Sequence, residues 1–236
     1  MPDYRDFDKI NTIIRIEGIL INETPLRIGS GREPPLGSLV DLEVVKISFY
    51  GNEIPYIPGS SLKGLFRSYV ETILASKGRK IHNPWDMDVI SEEAEKGDFC
   101  TVCGIFGNMK MASHIRVYDA YPKDGRFKKV QKSGIAIDRV FGSVMAGPFN
   151  EEIIAPGVEW KFRMDVINID LCFEGEVVDE RGNILKNLLK TLTSIGLNIG
   201  SRRSIGYGLI KLKDAKWYRY SIVDGELKLE NEGVIK

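Results

Sequence analysis

Two runs of apolar residues at helical spacing constrain this chain more than any other feature. In the first, Leu62, Leu65, Phe66, Tyr69, Val70, Ile73 and Leu74 recur at the three- and four-residue intervals that line one helix face; the second is NILKNLLKTLTSI, residues 183–195. Strand-like stretches surround both. TIIRIEGILI (12–21) and LEVVKISFY (42–50) precede the first helix and IRVYDAY (115–121) follows it. EIIAPGVEWKFRMDVINIDLCF (152–173) precedes the second and LIKLKDAKWYRY (209–220) follows it. Strand, helix, strand, taken twice, predicts an α+β fold: a ferredoxin-like, RRM-like core of split βαβ units carrying long insertions.

The chain is long enough for a sizeable core, with 236 residues of which 43% are hydrophobic. No run approaches the ~18 apolar residues of a membrane span, and the start MPDYRDFDKIN is too polar for a signal peptide, so the expected location is the cytoplasm, away from any membrane. Three cysteines do not make a secreted disulfide framework; thiols or metal ligands are expected. Thirty-three basic and 33 acidic residues balance, which excludes wholesale coating of a polyanion and makes any nucleic-acid site local. Residues 85–98 and the tail after Ser221 are acidic and read as solvated surface, whereas 123–132, KDGRFKKVQK, is basic.

IPYIPGSSLKGLFRSYV (54–70) runs a Pro-Gly-Ser-Ser turn into the first helix and places Lys63 and Arg67 in its first turns. Helix starts carry partial positive charge and unpaired N–H groups, so cations there ask for a negative partner. The spacing Gly59 to Gly64 resembles a phosphate loop, but Leu65 and Phe66 stand where an ATP loop needs Lys and Ser or Thr. Two readings remain: Ser60, Ser61, Lys63 and Arg67 hold an anion, or a serine caps the helix and the cations are solvated.

A second glycine-rich turn spans 200–208, GSRRSIGYG. Gly200 allows close backbone approach, Arg202 and Arg203 suit phosphate, and Tyr207 suits a base. Asp41 opens a strand after the Gly/Pro-rich stretch and would sit near the first loop, placed to orient a divalent ion or a ribose hydroxyl. Within the irregular insertion 81–113, Cys100 and Cys103 have half-site spacing for zinc. His82 and His114 bracket them, leaving open a Cys2His2 set, a Cys2His set with a carboxylate, or two thiols; Cys172 is expected in the core. Residues 134–149 read as a hairpin arm. If it protrudes, its Phe, Val and Met side chains are able to wedge between bases.

LRIGSG (26–31), IPYIPGSSLKGLFR (54–67), CTVCGIFG (100–107), the stretch 134–162 and the final glycine-rich loop together resemble the RAMP superfamily of CRISPR-associated proteins. The likeness is strongest to the repeated backbone subunit of type III (Csm and Cmr) antiviral effector complexes, and it covers nearly the whole chain. It implies one domain over 1–236: a palm, the insertion 81–113 and a thumb hairpin at about 134–152. By resemblance, Arg27, Ser60, Ser61, Lys63, Arg67, Arg139, Gly200, Arg202 and Arg203 hold the guide (crRNA). Phe141, Val144 and Met145 belong to the thumb that intrudes into the guide–target duplex. Apart from the resemblance, the spacing makes His82, Cys100 and Cys103 the candidate ligands of a structural Zn. Asp41 falls where the family carries its cleaving aspartate, with Glu43 as the neighbouring alternative. The implied activity is endonuclease cleavage of target RNA with Mg or Mn in the assembled ribonucleoprotein, and the implied partners are crRNA, target RNA, further copies of the chain and other type III effector subunits. Arg27 stands where relatives often carry His. The family also holds non-cleaving subunits and ribonucleases that process precursor guides with a catalytic His; the only histidines here lie near the Cys insertion, a poor fit to the latter. No RNP1-like aromatic run marks a generic RRM-type RNA binder.

Overall fold

The computed structural model describes residues 4–31, 38, 40–49, 51–79, 81–171, 173 and 179–235; Cys172 lies outside them. Along the chain come β1 (Thr12–Asn22), β2 (Lys46–Phe49), β3 (Asn52–Pro55), α1 (Gly59–Ser76), α2 (Met87–Lys96), α3 (Thr101–Phe106), β4 (Ile115–Val117), β5 (Lys129–Ile137) and β6 (Val144–Ile154). There follow β7 (Glu159–Ile167), α4 (Glu180–Ser194), β8 (Leu197–Asn198), β9 (Leu209–Val223) and β10 (Glu226–Val234).

The main sheet is antiparallel, in the order β10-β9-β1-β7-β4, with β8 on β9. Setting aside β10, the strands of the β1-α1-β4-β7-α4-β9 unit lie fourth, first, third, second, the order of a ferredoxin-like sheet. Alternation decides which face is buried. Ile14, Ile16 and Leu20 of β1 and Trp160, Phe162, Met164 and Val166 of β7 are buried, and Phe162 meets Phe66 of α1 edge to face at 6.3 Å. Leu62, Phe66, Val70 and Leu74 give α1 one buried stripe; Leu185, Leu188, Leu189 and Leu192 do the same for α4. Tyr69 and Thr191 join the two helices by a 2.8 Å hydroxyl contact. Truncating Phe66 to Ala would cost about 3–5 kcal/mol, since no other group fills its place.

Register gathers the functional segments at one end. Ile21 pairs with Glu159 and Asn22 with Ile210, so β1 ends where β7 and β9 begin. The feet of the β5–β6 hairpin, Lys129 opposite Ile154, lead into that same end. Ile57, just before α1, bridges Ala120 just after β4, which brings the start of α1 there too. Buried Asn22 fastens the corner: its amide donates to Thr24 O and Ala155 O and accepts from Trp160 Nε1.

Several expectations change. The 42–50 strand is regular only over β2 and pairs with β3 outside the main sheet, because Leu42 and Val44 are drawn into isolated bridges to Glu151 and Gly29. The insertion 81–113 is not irregular: α2 starts at an Asp86 cap, and α3 sends Val102, Ile105 and Phe106 into the core. The hairpin extends to 129–154, taking in part of the basic run. The acidic tail stays exposed, as expected, and also forms a regular strand, β10 against β9. No described helix is long and apolar enough to cross a membrane.

Candidate functional site

α1 starts three residues earlier than its apolar spacing suggests, with Pro58 as N-cap and no side-chain cap from Ser60 or Ser61. Part of its missing negative charge comes from the protein itself. The Gly59 N–H donates to Asp119 Oδ1 at 2.7 Å, and Gly59 fits because a Cβ there would sit 2.2 Å from Val117 O. One turn on, Lys63 is half-buried and has no carboxylate partner among the described residues. Burial, and then the nearby Arg67 charge, pull its pKa down. Arg67 itself is occupied, donating to Glu71 Oε1 and Gly107 O at 2.8 Å each and contacting Cys103 Sγ at 3.7 Å.

The second glycine-rich turn lies directly on the 26–31 segment that carries Arg27. A Cβ at Gly200 (φ +84°) would stand 2.3 Å from Arg27 O, and one at Gly208 1.8 Å from Ile199 O, so both positions require glycine. Ser201 N–H donates to Arg27 O at 2.9 Å, while Arg27 donates to Ser201 Oγ at 2.8 Å. Glu151, buried at the foot of the hairpin, accepts from Arg202 Nε at 2.9 Å and lies 3.9 Å from Arg27 Nε. Arg202 also covers the Phe149 ring at 5.4 Å. One carboxylate thus holds two guanidiniums and leaves the cluster with excess positive charge. Arg203 lies in the exposed turn Arg203–Ile205. Tyr207 does not offer its ring to a base: it is 5% exposed and meets Lys132, whose ammonium donates to the Tyr207 hydroxyl at 2.7 Å.

Asp41 is tied to the same hairpin. Its N–H donates to Asn150 O at 2.8 Å and its Oδ2 accepts from the Asn150 N–H at 2.7 Å. Glu43 faces Lys46 at 3.6 Å, and Lys46 also reaches Glu53 and Glu152. At the hairpin tip, Asp138 Oδ1 accepts the Val140 and Phe141 N–H groups, which hold its carboxyl below the usual range. That turn presents Val140, Phe141 and Met145 to solvent at 83, 82 and 74% exposure, with Val144 and Arg139 exposed beside them.

His82, Glu93, Cys100 and Cys103 converge so that their ligand atoms all lie within 4.8 Å of one another. Glu93, at the end of α2, supplies the carboxylate that no local spacing marked. Its Oε1 is 3.0 Å from His82 Nε2, its buried Oε2 has no partner, and Cys103 Sγ is 3.6 Å from His82 Nε2. Hydrogen bonding from Cys100 pulls the Cys103 thiol down. His114 belongs elsewhere, buried against Asp6 at 2.7 Å and Arg181 at 3.3 Å.

Thus Arg27, Gly200, Arg202 and Asp41 come together at the hairpin foot, at the end of the sheet where α1 places Ser60, Ser61 and Lys63. His82, Cys100 and Cys103 form a separate cluster linked to α1 through Arg67. The sequence reading singled out none of Asp119, Asn150, Glu151 and Glu93.

No curated protein matches the chain. The profile of the RAMP superfamily matches residues 20–211, from the end of β1 into β9, taking in both glycine-rich turns, the hairpin and the Cys pair. Proteins of that family have ferredoxin-like folds, and membership suggests a CRISPR-associated, RNA-binding function in a multisubunit complex. By a match that spans most of its length, on a sheet of the same kind, this chain belongs to the RAMP superfamily.

Proposed function

We propose that the chain is a guide-RNA-binding backbone subunit of a type III CRISPR effector complex, repeated along the crRNA beside other effector subunits, and that it cuts target RNA with Asp41. The observation that carries the reading is Lys63: a half-buried cation with no counter-ion among the described residues, on a helix that starts at the end of the sheet where the 200–208 turn packs on Arg27. A phosphate would supply the missing charge, and Arg202, Arg27 and Ser201 would continue the track.

In this reading the hairpin enters the guide–target duplex with Phe141, Val144 and Met145 as its wedge. Asp41, fixed to Asn150, then stands a fixed distance along the chain from the wedge and orients the ribose hydroxyl or the ion at the cut. One oxygen of Asp41 is engaged with Asn150, and Glu151 is held by arginines, so the protein offers a divalent ion little more than a single carboxylate oxygen. That suits Mg or Mn, which keep water and phosphate ligands and would stabilise charge on the phosphate.

The His82, Glu93, Cys100, Cys103 cluster has the donor set and compactness for a structural zinc, which would pin α2 and α3 and, through Arg67, the start of α1.

The test is the RNA carried by the protein purified from its native host. Short RNAs sharing a repeat-derived 5′ end are expected, and their absence from an RNase-protected preparation would overturn the guide-holding reading. A complex that retains guides but leaves bound target intact would make the chain a non-cleaving member.

A further inference from the structure

The face of the sheet turned away from the helices carries a second arrangement suited to RNA. Arg15, Glu17 and Ile19 of β1 point there. In register, Glu17 is flanked by Arg163 and Lys216, and Ile19 by Lys161 and Lys213. A depression of about 470 Å3 opens over Glu17, Ile19, Lys161, Arg163 and Lys216, bounded by Tyr118 and Tyr218. That volume is within the roughly 300–1,000 Å3 of small-ligand sites.

Its floor is prearranged. The Arg163 guanidinium lies over the Tyr118 ring at 4.5 Å, and the Tyr118 hydroxyl donates to Asp165 Oδ2 at 2.9 Å. Asp165 in turn accepts from Arg15 Nε at 2.9 Å. The result is a flat guanidinium–phenol platform locked at its back edge. Among the described residues Lys161, Lys213 and Lys216 make no ion pair; the acids of the lining without an ion pair are Glu17, Asp119 and Asp214. The depression's cations and acids balance, so Lys161 and Lys216 are local contacts for phosphate, while Glu17 offers an acceptor within the depression.

We propose that this open sheet face is a second binding site, for single-stranded RNA, in which a base stacks on the Arg163–Tyr118 platform, Lys161 and Lys216 hold the flanking phosphates, and Glu17 accepts a hydrogen bond from an exocyclic amino group. Stacking on a rigid plane tolerates any base, whereas a carboxylate acceptor favours cytosine over uracil, which has no amino group. The site rests on the RNA-binding reading of the chain for its class of ligand only. It uses none of the cations of the glycine-lined end.

The test uses the purified full chain freed of co-purifying RNA, with 12-nucleotide oligo(C) and oligo(U) as probes. The Lys161→Ala, Lys216→Ala variant is expected to bind oligo(C) about tenfold more weakly at low salt and to lower the salt slope by about 1.4, two single-strand phosphate contacts. Glu17→Gln should remove a preference for oligo(C) over oligo(U), and ultraviolet cross-linking should mark the peptide bearing Tyr118. An unchanged slope with cross-links confined to the peptides of Lys63 and Arg202 overturns this site and leaves the guide-holding end intact. Loss of binding only in Lys63→Ala, Arg202→Ala says the same. Self-association abolished by the Lys161, Lys216 variant without change in RNA affinity would instead make the face a protein interface and also overturn the proposal.

Discussion

Asp41 and Asn150 hold each other through two hydrogen bonds: Asp41 N–H to Asn150 O at 2.8 Å, and Asn150 N–H to Asp41 Oδ2 at 2.7 Å. The first residue opens a segment of loops and the second lies in a long hairpin, so the pairing references the carboxylate to the hairpin.

Replacing Asp41 by Asn keeps an oxygen for the Asn150 N–H and removes only the charge. In the assembled complex, Asp41→Asn is expected to reduce target cutting by about a hundredfold or more while guide content stays unchanged. The check is single-turnover cleavage of labelled target. Full cutting would move the role to another group, first to Glu43.

Lys63 and Arg67 look equivalent on a helical wheel but differ in their surroundings. Lys63→Ala should lower the salt slope of guide binding by about 0.7 with little change in melting temperature. Arg67→Ala should do the reverse, because it strands Gly107 O and Glu71 at a cost of about 1–3 kcal/mol. Salt titrations and thermal melts of the two variants separate phosphate binding from internal bracing.

For the His82, Glu93, Cys100, Cys103 cluster, one zinc per chain is expected in elemental analysis of protein purified without chelator. Cys103→Ser and Glu93→Gln should both lose it, and chelation should lower the melting temperature, since an ion held by four such ligands would stabilise only the folded chain. Folded, metal-free wild-type protein insensitive to chelation would assign the cluster to ordinary buried thiols.

Phe141 and Met145 touch little in the free chain, so their removal has little to destabilise. Phe141→Ala and Met145→Ala are expected to change stability by less than about 0.5 kcal/mol. Their effect should instead appear as weaker target engagement and blurred spacing in the ladder of cleavage products.

Asp165 gives a pH signature. Burial alone would raise its pKa, but hydrogen bonds from Arg15 and Tyr118 and the guanidinium charges outweigh it and hold the carboxyl below its ordinary value of about 4. A lowered folded-state pKa contributes stability above the unfolded value, lost as pH falls through the folded one. Asp165→Asn should therefore be destabilised by about 2 kcal/mol near neutral pH, where it strands Arg15, and the gap to wild type should close only in strong acid. Denaturant melts across pH measure that gap.

What the sequence determined by itself is what short-range pattern can carry. Leu62, Phe66, Val70 and Leu74 imply α1 because helical periodicity needs only neighbours, and the alternation of Ile14, Ile16 and Leu20 implies a strand with one buried face. The glycine-punctuated arm implied a hairpin for the same reason, though not its full length, because its feet are polar. Tertiary structure decided everything that depends on partners distant in sequence. Arg27 meets Ser201 across 174 residues, Glu151 gathers Arg27 and Arg202, and Asp119 takes the Gly59 N–H; no local spacing encodes such a meeting. Glu93 joined His82 and the cysteines only because α2 and α3 fold back on each other, and Tyr207 lost its place as a base platform because Lys132 occupies its hydroxyl. Periodicity reports which face a residue shows, whereas a site is set by which faces the whole chain brings together.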